Sequence, residues 1–278
     1  MDGVTSAQPP RVGHIAFLNC VPLYWGLMNG GGLDPLTLHQ DTPDHLNDAL
    51  LAGELDVSPI SVVPYLQNAA DLVPLDIAVG SDGPVLSVVL VSKRPLAELD
   101  ARTVALGATS RTGVALAQLL LEERYRVHPS YVTMAPDLEA MLAVADAAVL
   151  IGDVALRATA DAAERTDIVV HDLAAEWRDW TGLPMVFAIW AARREYAEAH
   201  PAEVQAIRDA FAASRALVAS DIDRVATEVA AGSKFTAAEL TRYFTVLDFD
   251  FGDRQREGMA EFARRLQARG VLEDSDAA

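Results

Sequence analysis

Apolar and polar residues alternate along the first two thirds of the chain in short blocks. An apolar run at residues 11–17 reads as a strand, and the stretch from Pro22 to about Asn29 as a helix. Gly30-Gly31-Gly32 then breaks the chain, and residues 1–10 read as a frayed tail. Residues 36–39 form a short strand. Thr42, Pro43 and Asp44 open a helix as N-cap, first-turn proline and first-turn acid, with Leu46, Leu50 and Leu51 as its apolar stripe. Gly53 ends it, residues 55–60 make a third strand, and Ser61 starts another helix.

Two longer apolar runs, residues 85–91 and 185–190, read as buried strands. Between them a second series alternates: strands near 103–106, 131–133 and 147–151, with helices over 110–124, 137–144 and from Asp153. After residue 193 the pattern is wholly helical. Val204, Ile207 and Phe211 share one helix face, and Met259, Phe262 and Leu266 share another. Such alternation predicts parallel sheets covered by helices. The order predicts an α/β chain with two lobes about a central cleft. Residues 1–92 begin the first lobe and 93–184 form the second. Residues 185–278 return a strand and the C-terminal helices to the first, with hinges near 92 and 185. A single doubly wound sheet is the alternative.

At 278 residues, half of them hydrophobic, the chain is long enough for two lobes and globular in composition. A net charge of −18 excludes non-specific nucleic-acid binding, which needs clustered Lys and Arg, and disfavours anionic membranes. An anionic ligand would need helix N-termini or a local cation. The N-terminus lacks the basic start and apolar core of a secretory signal. The longest apolar run, 183–192, is too short to span a bilayer, so a soluble cytoplasmic protein is expected. The one cysteine, Cys20, allows no internal disulfide; it is either a buried small hydrophobe or a reactive thiol. The six histidines show no metal-ligand spacing, and neither a Gly-x-Ser-x-Gly elbow nor a dinucleotide fingerprint occurs.

Candidate chemistry gathers where strands hand over to helices. Asn19 follows the first strand and reads as a cap or turn residue, or as a ligand contact. His14, the titratable group nearest to it in sequence, is either a second catalytic candidate able to take a proton or a core residue. Thr109, Ser110, Arg111 and Thr112, between Gly107 and Gly113, open a helix after a strand. They suit either a carboxylate or phosphate, or a plain cap at Ser110 with an exposed Arg. Ser61, and Ser87 within the apolar run, are hydroxyls that bind either ligand or backbone. Gly152 and Asp153 follow a buried strand and suit a cap or a carboxylate at the cleft.

The run from Arg11 to Leu27, with its Leu18-Asn19-x-x-Pro22-Leu23 core, resembles the start of the chorismate dehydratases of the futalosine route to menaquinone. Residues 53–61, 83–87, 108–112, 150–153 and 180–188 also fit, so the likeness runs from about residue 11 to 265. Where many relatives carry Ser or Thr after the Asn, this chain has Cys20. The resemblance implies a periplasmic-binding-protein-like fold (type 2) used as a lyase that converts chorismate to 3-[(1-carboxyvinyl)oxy]benzoate. It implies Asn19 as the central active-site residue and a dicarboxylate substrate. Neither a metal nor a redox cofactor is expected. The related enzyme acting on cyclic dehypoxanthine futalosine, and a non-catalytic solute-binding protein, are the alternatives.

Overall fold

The computed structural model describes residues 9–30 and 36–272. Most of the tail expected over residues 1–10, and Gly31-Gly32 of the glycine break, lie outside the described residues. The chain first lays down strand β1 (Arg11–Ile15), helix α1 (Val21–Asn29), β2 (Thr37–Asp41), α2 (Pro43–Leu51), β3 (Val57–Ser61), α3 (Val62–Gln67) and β4 (Leu72–Ser81). It then builds β5 (Val88–Ser92), β6 (Thr103–Gly107), α4 (Thr112–Leu119), β7 (Ser130–Met134), α5 (Leu138–Val144), β8 (Ala147–Ile151), α6 (Gly152–Asp161), β9 (Val169–Asp172) and α7 (Leu173–Thr181). It returns with β10 (Met185–Arg193), α8 (Arg194–Ala199), α9 (Pro201–Ser220), α10 (Ile222–Ala230), α11 (Ala237–Val246), β11 (Asp248–Asp250) and α12 (Asp253–Ala268).

These strands make two sheets, ordered β11-β4-β10-β3-β1-β2 and β7-β6-β8-β5-β9. Each lobe thus has a parallel core, β3-β1-β2 in one and β7-β6-β8 in the other, with antiparallel strands added where the chain crosses. The first crossing is not at residue 92. β4 belongs to the first sheet and β5 to the second, so the chain passes over at residues 82–87. The run 85–91 is not one strand: Leu86 has φ +64, outside the strand region, and extended pairing starts only at Val88. Ser87 therefore sits in the crossing rather than inside a strand.

Three strands escape the hydrophobic pattern. β4 carries Pro74 and a bulge at Asp76, which takes φ +60 and shifts the register against β10. The bulge turns Asp76 out to Arg208 and Arg256, which both pair with it. β9 and β11 are only four and three residues long. The helix expected over 110–124 is α4 followed by a wider π turn, Leu120–Arg124.

The first-lobe core closes on an aromatic group. Tyr24 from α1, Trp190 from β10 and Phe211 from α9 are almost wholly buried against one another, with ring centroids 5.2–6.3 Å apart. The Tyr24 hydroxyl donates to the Gly13 carbonyl (2.6 Å) and accepts from Trp190 Nε1 (2.9 Å). α12 packs on β10 but also reaches the second lobe. Phe262 meets Trp177 edge-on, Arg265 covers Trp180, and Arg265 and Arg269 pair with Glu123 and Glu122. Among the described residues no helix is long and apolar enough to cross a membrane.

Candidate functional site

Four strands, two from each sheet, end at one cavity between the lobes. β1 runs out at Ile15 into the 3-10 turn Leu18–Cys20, and β3 ends at Ser61. From the other side, β6 leads to Thr109–Gly113 and β8 to Gly152. The carboxyl ends of parallel strands are where α/β folds expose backbone and short polar side chains together. The cavity has about 60 Å³ of free space. Its walls bring together Asn19, Ser61, Ser87, Thr109, Ser110, Thr112 and Gly152, with Phe17, Ile151 and Phe187 as apolar surfaces.

Asn19 stands out chemically. Its side-chain oxygen is shielded from solvent and has no hydrogen-bond partner among the described residues. A buried carbonyl left unmatched is costly, and such groups gather where a ligand completes them. Asn19 is no helix cap: the residue before α1 is Cys20, and no side chain caps that helix. Cys20 is fully buried, and burial first, then Asp153, pushes its thiol pKa up, so it stays a protonated neighbour.

The polar walls are held from behind. Asn47, buried on α2, accepts from the Ser61 backbone N–H (3.0 Å) and donates to Ser61 Oγ (3.3 Å). Ser110 Oγ accepts from Gly113 N–H (3.1 Å), but Ser110 is not the N-cap: α4 starts at Thr112, the residue before it is Arg111, and the Arg111 side chain makes no cap bond. Thr112 Oγ1 accepts from Val63 N–H in the first turn of α3 (3.2 Å), joining helix starts from the two lobes. Neither Asn47 nor the Thr112–Val63 contact shows in the local pattern. A polar residue on the apolar face of α2 was the one available signal.

Three expected residues fall outside the cavity wall. His14 stacks on Tyr24, ring centroids 4.1 Å apart, and burial lowers its pKa. Its ring is used in packing rather than presented to the cleft. Arg111 turns away to pair with Asp44 and Asp48 of α2, each at 3.2 Å, and so ties the lobes together at the surface. Asp153 accepts from the Leu18 backbone N–H (3.1 Å) across the lobes, and burial raises its pKa against that bond. It borders a second, larger depression of about 650 Å³, lined also by Arg157, Arg165 and Phe235. That depression holds none of the strand-end hydroxyls. Its Arg165 is already committed to Glu139 and Asp167. The smaller cavity is the better candidate because the chemistry converges there.

Gly152 lets the Phe17 turn of the other lobe pack closely against it. It has φ +66, and a Cβ there would lie 3.1–3.3 Å from the Phe17 ring across the cleft. Gly152→Ala is expected to cost about 1–2 kcal/mol in unfolding experiments from its backbone conformation alone. Among the described residues no cluster of His, Cys, Asp and Glu is placed to hold a metal ion.

Two α/β lobes joined by two crossings, with a polar cleft at their strand ends, define a periplasmic-binding-protein-like fold. A solved structure from Archaeoglobus fulgidus superposes with a TM-score of 0.75 at 18% identity, over 96% of this chain and 100% of that one. The aliphatic sulphonate binding protein SsuA of Escherichia coli does so with a TM-score of 0.67 at 18% identity, over 96% and 89%. These likenesses show the fold. The chain belongs to the menaquinone biosynthesis family, which it matches over residues 10–268. It is 36% identical over 217 residues to the chorismate dehydratase of Thermus thermophilus, across 73% of this chain and 76% of that protein.

Proposed function

We propose that the protein is a chorismate dehydratase, a hydro-lyase that makes 3-[(1-carboxyvinyl)oxy]benzoate and water for menaquinone biosynthesis, acting in the cytoplasm. The observation that carries this reading is the unpartnered Asn19 oxygen inside the interlobe cavity. It lies in a chain 36% identical to a protein of that activity. The reaction removes a proton from the ring carbon that bears the enolpyruvyl ether and a hydroxide from the adjacent carbon, leaving an aromatic ring. Aromatisation supplies the driving force, so the protein has to hold the ring and assist two bond cleavages.

Among the described residues no Lys or Arg lines the cavity. Substrate carboxylates would therefore be held by neutral donors: the hydroxyls of Ser61, Ser87, Thr109, Ser110 and Thr112, and the first-turn N–H groups of α4 other than that of Gly113, which Ser110 takes. Asn19 is a neutral amide and a very weak base. Its unpartnered oxygen can only accept, from a substrate hydroxyl, which orients the ring; its amide N–H is the group that donates to the departing oxygen. His14, stacked on Tyr24, is not placed to take the proton. A substrate carboxylate or water fills that role. The free space is far below the several hundred Å³ of ordinary ligand sites, so the lobes part to admit substrate, pivoting at the crossings 82–87 and 182–184.

The test is direct. Purified protein mixed with chorismate, with no cofactor added, should change the ultraviolet spectrum as the diene becomes aromatic. An unchanged spectrum at micromolar protein would sink the reading, and tight binding without turnover would favour a solute-binding role.

A further inference from the structure

We propose that Tyr243 is a positioning residue: its buried hydroxyl donates to Ser87 Oγ and so commits the Ser87 hydroxyl to donate to an acceptor oxygen of the bound substrate. The inference rests on the placement of Ser87 in the substrate-binding wall. Tyr243 lies on α11, outside the cavity, and its side chain is wholly buried. Its oxygen is 2.8 Å from Ser87 Oγ.

The direction of that bond follows from what each group can reach. Among the described residues the Tyr243 hydroxyl has no hydrogen-bond partner except Ser87. A phenol O–H buried without an acceptor costs more than one hydrogen bond returns, so Tyr243 must donate. Ser87 then accepts, and its own proton must go elsewhere. The one protein acceptor in range is the Val85 carbonyl at 3.5 Å, the outer limit for such a bond. An oxygen arriving in the cavity offers a better one.

The backbone around Ser87 is held in place, so the hydroxyl is the group left to adjust. Leu86 keeps its left-handed conformation, φ +64, because its N–H donates to Asp172 (2.6 Å) and its carbonyl accepts from Thr159 (2.8 Å). The Ser87 carbonyl accepts from Gly152 N–H (2.8 Å). A chain from Tyr243 O–H through Ser87 O–H to a substrate oxygen polarises along its length, which makes Ser87 a stronger donor than an isolated serine. It selects a carboxylate or ether oxygen at that point and rejects a group that can only donate.

A double-mutant cycle on Tyr243→Phe and Ser87→Ala tests this, read as KM and kcat for chorismate and, separately, as the calorimetric Kd for benzoate. Ser87→Ala is expected to raise KM and Kd about tenfold, and Tyr243→Phe by roughly three- to tenfold. Tyr243→Phe should keep a near wild-type melting temperature. The double variant should be no worse than Ser87→Ala alone, because Tyr243 acts only through Ser87. Effects that multiply, an unimpaired Ser87→Ala, or a wild-type Tyr243→Phe beside an impaired Ser87→Ala would overturn the inference. Benzoate separates this from the reaction. A protein that leaves chorismate unchanged but shows the non-additive cycle with benzoate loses the proposed activity and keeps the role of Tyr243. Turnover with an additive cycle does the reverse, and neither turnover nor benzoate binding removes both.

Discussion

Asn19→Ala is expected to slow single-turnover dehydration of chorismate about 100- to 1,000-fold while changing KM less than tenfold. The range is that of removing one preorganised donor aimed at developing charge in an enclosed site. The asymmetry follows from what the amide touches. On the proposed function the hydroxyls of the cleft hold the substrate carboxylates, so binding is expected to survive. The hydrogen bond to the departing oxygen strengthens only as the carbon–oxygen bond breaks, so its loss falls on kcat. Among the described residues the Asn19 oxygen has no partner, so truncation leaves no new unmatched group behind. The loss therefore reports on catalysis rather than on folding. Asn19→Asp should be no faster than Asn19→Ala, since an ionised carboxylate lacks the amide donor and repels the dicarboxylate substrate. An Asn19→Ala rate within threefold of wild type would remove Asn19 from the mechanism.

Tyr24→Phe should cost about 2–4 kcal/mol of stability, measured by urea unfolding with an unchanged m value. One hydroxyl serves two buried groups, the Gly13 carbonyl and the Trp190 indole N–H. Phenylalanine keeps the ring contacts with His14, Trp190 and Phe211. It leaves the indole N–H buried without an acceptor, at roughly 1–3 kcal/mol, and also loses the bond to Gly13. A cost below about 1 kcal/mol would mean that the indole finds another acceptor and that this network is not what fixes α1 beneath the Asn19 turn.

The strand-to-helix turns were the legible part of this molecule. Asn19, Ser61, Ser110 and Gly152 each follow an apolar strand, and position at a strand end is a local property that the chain advertises. Side-chain direction is not local. Arg111 belongs to the same turn as Ser110, yet it points to α2, because Asp44 and Asp48 come near only after folding. His14 looked reactive beside Asn19 in sequence. Its ring lies on Tyr24, a residue placed by α1 packing. The first crossing is hidden in the sequence because the apolar run 85–91 conceals the turn at Leu86, which Asp172 and Thr159 hold in place. β4 was invisible because the bulge at Asp76 breaks the two-residue alternation by which strands are recognised. Asn47 and Tyr243 support the cleft from apolar helix faces, where a polar atom looks like an ordinary core residue until its partner is seen.

The strand order has a consequence for how the chain is made. β10 lies between β3 and β4 in the first sheet, although residues 82–184 separate Ser81 from its partner Met185. A chain growing from its N-terminus therefore carries an unfinished first sheet through the synthesis of the whole second lobe. The second sheet has all five strands once Asp172 has been made, and nothing topological prevents it from folding first. The first sheet stays split, with β3-β1-β2 on one side and β4 on the other, until Arg193 has been added. The lobe that begins the chain is thus the last to be completed, and for that interval the facing edges of β3 and β4 are open to wrong partners.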